Sequence, residues 1–123
     1  MNYSTEIKEC SKQLSAKQRI AIKDTISAIK LDKATQDGPI IITPDYYAVL
    51  SVHNEKADDK DYEQFIIVDV SGDKYVTGSK SFWSSFINIY EEMENEDEAW
   101  SIKVYRVESK NYVGRDFITC SIE

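Results

Sequence analysis

A chain of 123 residues, 41% hydrophobic and 30% charged, can bury one ordinary core without disulfide or metal staples, and it has the composition of a soluble globular domain. A net charge of -7 argues against nucleic-acid binding by general surface charge, though not against a localised cationic path. No apolar run reaches the ~20 residues of a membrane helix, and MNYSTEIKECSKQL lacks the apolar stretch of a secretory signal, so a cytoplasmic protein without membrane contact is expected.

Residues 1–15 are polar and are expected to form a flexible N-terminal tail, with a single domain over 16–123. In SAKQRIAIKDTISAIKLDK (15–33), Ile22, Ile26 and Ile29 fall at helical spacing, with Ser15 as N-cap. Ile20 and Ile22 also alternate, so a strand is the competing reading. TQDGP (35–39) is a turn. PIIITPDYYAVLSVHN then reads as a first long β-run. Ala48, Leu50 and Val52 lie on one face, and Tyr47, Val49, Ser51 and His53 on the other. Pro44 should end or bend its IIIT part, because proline cannot donate to a ladder. YEQFIIVDV (62–70) is a second strand, SGDK (71–74) a tight turn and KYVTG (74–78) a short third strand.

The period then changes. Phe82, Phe86, Ile89, Tyr90 and Met93 are spaced for a helix, with Ser79 or Ser81 as its cap. Six acids fall within Glu91–Glu98. Acids are unfavourable at a helix C-terminus, so the run should lie mostly beyond the helix, as a solvated loop rather than a metal site. WSIKVYRVE (100–108) and DFITCSIE (116–123) are the last two strands. They are joined by a hairpin whose loop carries Lys110, Asn111, Tyr112, Gly114 and Arg115. The expected fold is mainly β: a five-stranded Greek-key barrel like the oligonucleotide/oligosaccharide-binding (OB) fold, with one helix between strands three and four. Its rival is an open sheet covered by that helix.

Two cysteines at opposite ends make no disulfide framework. Cys120 alternates with Ile118 and Ile122 and should be buried; Cys10, in a polar segment, should be exposed. Residues 1–33 hold seven cations against four acids, which leaves a balance of -10 for the remainder. A second local excess of cations comprises Lys103, Arg106, Lys110 and Arg115.

Single strands are held by cations that track phosphates and by rings on which bases stack. If Ile102, Val104, Ile118 and Cys120 point inward, Lys103, Tyr105 and Phe117 form an outer patch beside the hairpin. Lys110 and Arg115 would add charge there and Tyr112 a ring; an ordinary solvated hairpin is the plain alternative. Tyr47 and Tyr75 are further ring candidates among eight tyrosines. Phe82, Trp83, Phe86 and Trp100 read as core. One histidine, no nucleophile motif and no metal cluster give no case for an enzyme, a cofactor or a metal.

ITPDYYAVLSVHNEK, DYEQFIIVD, KYVTGSKSFWSSFINIYEEM and SKNYVGRDFITCSI together resemble a family of small single-stranded DNA-binding proteins. These are carried by phages and conjugative plasmids of Gram-positive bacteria. The resemblance covers roughly residues 16–122. It implies an OB fold, sequence-tolerant coating of single-stranded DNA in replication or conjugative transfer, and self-association along the strand through the N-terminal tail; the residues themselves do not choose between DNA and RNA. The acidic balance motivates an expectation of another class, an inhibitor or adaptor that binds a host protein, by DNA mimicry for example.

Overall fold

The computed structural model describes residues 3–56, 60–108 and 116–123. In chain order the elements are β1 (Tyr3–Cys10), α1 (Ala16–Lys23), β2 (Ile29–Lys30), α2 (Leu31–Ala34), β3 (Ile40–Ile42), β4 (Pro44–Asn54), β5 (Asp61–Asp69), β6 (Lys74–Thr77), α3 (Lys80–Met93), β7 (Ile102–Glu108) and β8 (Asp116–Ile122). The protein is mainly β. Its strands form a five-stranded sheet, β1-β4-β5-β6-β2, and a three-stranded sheet, β3-β7-β8. The chain groups into two compact units, residues 1–30 with 45–78 and residues 31–44 with 79–123. Among the described residues the pairings do not close the expected barrel, and eight strands are present rather than five. The helix does lie between the strands expected to flank it.

In the first unit β4 follows the alternation of its sequence. Ala48, Leu50 and Val52 meet Ile66 and Val68 of β5, Val76 of β6, and Leu14 and Ile22 in one core. The turn from β5 to β6 forms where expected: Gly72 donates to the Asp69 carbonyl at 2.8 Å and takes a φ of +97° that suits glycine. The opposite face is buried in part: Val49, Phe65 and Ile67 are at most 5% exposed, while Ser51 on the same side is exposed.

Three expectations fail in this unit. Residues 3–10 are not a tail but an edge strand, paired antiparallel with β4 from Tyr3↔Asn54 to Cys10↔Ala48. Thr5 and Ile7 share the core face with Val52 and Leu50. The register shifts between Ile7 and Glu9, which makes Lys8 an extra residue; such a bulge blunts a free edge. It also turns Cys10 onto the core, so that thiol is part-buried, not exposed.

The helical stripe over 22–29 also fails. Ser15 does cap α1, in a reciprocal box with Gln18. The helix stops at Lys23, however, and leaves Ile26 98% exposed. Asp24 ends it by bonding forward, its carboxylate accepting from the Ile26 amide and the Ser27 hydroxyl. Lys74 of β6 donates to the carbonyls of Ala21 and Asp24, so the orphan groups at this end are satisfied from the sheet. Ile29 then joins β2, parallel to β6.

In the second unit Thr43 separates β3 from β4, and Pro44 occupies the first position of β4, where its missing N–H is tolerated. Ser79 caps α3, its hydroxyl accepting from the Phe82 amide at 3.2 Å. Phe82, Trp83 and Phe86 are buried. Phe86 lies 6.4 Å from the Phe82 ring, 5.0 Å from Trp83 and 5.9 Å from Tyr90, and Trp100 closes on Tyr90 at 6.0 Å. The helix packs on β8. Among the described residues no helix is long and apolar enough to cross a membrane.

Candidate nucleic-acid interface

Strand alternation builds this surface. Along β7, Ile102 and Val104 are fully buried, and along β8 Ile118 and Cys120 are 2% and 7% exposed. Burial pushes the Cys120 thiol up to about 12, so it behaves as a small hydrophobe. The intervening residues must then face the other way. Lys103 pairs with Ser121, Tyr105 with Thr119 and Val107 with Phe117, so these six side chains share one outer face. Ile41 of β3 pairs with Lys103 and extends the face by a third strand. Ile41 and Phe117 are 49% and 43% exposed, large for apolar side chains. The outer patch expected from the sequence, Lys103, Tyr105 and Phe117, is therefore on one face.

Tyr105 is held in place. Its hydroxyl lies 2.7 Å from the Ser121 hydroxyl across the ladder, and the Lys103 ammonium sits 5.8 Å from its ring centroid. A cation over an exposed ring contributes about 0.5–1 kcal/mol. Base stacking contributes about 1–3 kcal/mol per base. On those figures a base stacked on this ring would outweigh the ammonium contact and leave the lysine free to meet a phosphate. Tyr105 and Phe117 are diagonal neighbours, about 7–8 Å apart at such positions, so two bases can be served by two rings.

Lys110, Tyr112 and Arg115 lie outside the described residues. Arg106 alternates onto the inner face and donates to the Asp32 carbonyl, so it does not join the cationic patch. Tyr47 and Tyr75 belong to the first unit. Tyr47 is part-buried and its hydroxyl donates to the Glu9 carboxylate at 3.2 Å, which ties it to β1. Tyr75 is part-buried beside Ile67, and desolvation, with Asp73 and Asp69 nearby, raises its phenol above the ordinary value. Sequence reasoning missed Ile41. The signal was present, since the middle residue of an Ile-Ile-Ile strand must face away from its neighbours.

His53, at the end of β4, bridges two carboxylates. Nδ1 is 2.7 Å from Asp61 and Nε2 is 2.6 Å from Glu55. Hydrogen bonds to Asp61 and then Glu55 raise its pKa, and the same contact holds the Glu55 carboxyl below its usual range. With the folded pKa above the unfolded one, the stabilisation is complete below about pH 6.5 and disappears as pH rises through the folded pKa. An NMR titration of this single histidine should give a midpoint above 6.5. His53→Gln should flatten the loss of thermal stability over that window; a midpoint at or below 6.5 would remove the bridge. Among the described residues no group of three His, Cys, Asp or Glu could hold a metal ion.

Family models, curated proteins and solved structures were all compared with the chain, and none matches it.

Proposed function

We propose that this protein is a non-enzymatic, sequence-tolerant single-stranded DNA-binding protein, and that the strand is held across the outer face of β3-β7-β8. The observation that supports this most is the row of Lys103, Tyr105 and Phe117 on one exposed face, with the Tyr105 hydroxyl anchored and Ile41 extending the apolar area. Every base has a face that can stack on a ring, so a surface built on rings favours coating over sequence recognition. The order β4-β5-β6-α3-β7-β8 is that of an OB fold, which supports placing the ligand near the β7–β8 hairpin, where the sequence carries Lys110, Tyr112 and Arg115. The resemblance to mobile-element proteins fits a role in replication or conjugative transfer.

Fluorescence anisotropy of labelled oligo(dT), with duplex and RNA controls, tests the reading. Three cations on phosphates predict a plot of log affinity against log salt with a slope of about -2. Absence of binding at low salt would overturn the proposal.

A further inference from the structure

A second surface of the β3-β7-β8 unit carries different chemistry. Asn88, Ile89, Glu92 and Met93 of α3 and Ile122 of β8 line a groove of about 290 Å³. Its apolar lining comes from two isoleucines and a methionine, the side chain that adapts best to varied partners. Ile122 is 51% exposed there. Glu92 forms part of the wall, Glu123 follows Ile122, and Glu91, Glu94, Glu96, Asp97 and Glu98 continue from the same end of the helix, all exposed. Among the described residues none of the ion pairs engages these carboxylates.

The helix makes the charge more pointed. Its last turn contains no basic residue and does contain Glu91 and Glu92. Acids at a helix C-terminus oppose the macrodipole, and cations are what that end favours. The sequence thus sustains a locally unfavourable arrangement, which a bound cation would relieve. We infer that this groove docks a cationic segment of a partner protein: an aliphatic anchor inserted between Ile89, Met93 and Ile122, flanked by lysines or arginines facing Glu92 and the acids beyond. The protein that coats the strand would thereby also recruit. This inference does not depend on DNA binding.

The probe is a fluorescein-labelled peptide, KKLLKKLLKK, with KKSSKKSSKK as a control of equal charge. The leucine peptide should bind, and the serine peptide at least about tenfold more weakly. Ile122→Asp should weaken leucine-peptide binding about tenfold or more, and Glu92→Lys several-fold. Ile122 is half exposed, so both variants should fold, which thermal melts would confirm. Backbone amide shifts should move in α3 and β8. Three results would overturn the inference. One is equal binding of both peptides, which leaves only general electrostatics. Another is unchanged affinity of Ile122→Asp. The third is a dimer in sedimentation that Ile122→Asp dissolves, which would assign the groove to a second copy of this chain.

Discussion

Phe86→Ala is expected to cost about 3–5 kcal/mol of folding stability, as measured by urea titration. The side chain is fully buried and stacks among Phe82, Trp83 and Tyr90. Truncation removes the transfer energy of the ring and leaves a cavity that three neighbouring rings, themselves confined, cannot fill. A domain of this size has only about 5–15 kcal/mol in total, so the variant should be partly unfolded at moderate temperature. Phe86→Leu keeps most of the volume and should cost much less. A loss below about 1 kcal/mol for Phe86→Ala would mean that α3 is not anchored by this ring.

Tyr105→Ala and Phe117→Ala should each reduce oligo(dT) affinity by about 1–3 kcal/mol, roughly 5- to 150-fold. These losses should leave the salt slope unchanged, because stacking releases no counterions. Lys103→Ala should do the reverse, with a modest loss of affinity and a slope shallower by about 0.7. Tyr105→Phe separates the ring from its anchor. It retains the stacking surface but loses the contact with Ser121, so affinity should stay within a few-fold of the parent. If Tyr105→Ala binds as tightly as the parent while folded, the β3-β7-β8 face is not the binding surface.

Much of the architecture was legible because periodicity reports burial. The alternation in β4, the helical spacing of Phe82 and Phe86, and the in–out order of β7 and β8 all carried into the structure. What was not legible has physical causes. β1 contains one aliphatic side chain, Ile7, since an edge strand needs charges such as Glu6, Lys8 and Glu9 to discourage foreign pairing. Its bulge shifts the alternation midway, which erases the period-2 signal. The stripe Ile22, Ile26, Ile29 looked helical, yet Asp24 and Ser27 exchange local bonds that compete with the helix after Lys23. At the candidate interface, Lys103, Tyr105 and Phe117 could be placed on the outer face from alternation alone. Tyr47 and Tyr75 could not, because both faces of the five-stranded sheet carry buried apolar side chains and alternation cannot tell which is wet.

The pairing of β3 with β7 has a consequence for the nascent chain. Ile40 pairs with Val104, so β3 leaves the ribosome well before its partner exists. At about 5–20 residues per second, that interval is on the order of several seconds. During it, three consecutive isoleucines present open backbone edges to any neighbouring chain. Pro44 stands two residues beyond Ile42 and cannot donate to an intermolecular ladder, so it limits how far a stray strand can extend along this segment. Replacing Pro44 would therefore be felt in the yield of soluble protein during synthesis more than in the stability of the finished fold.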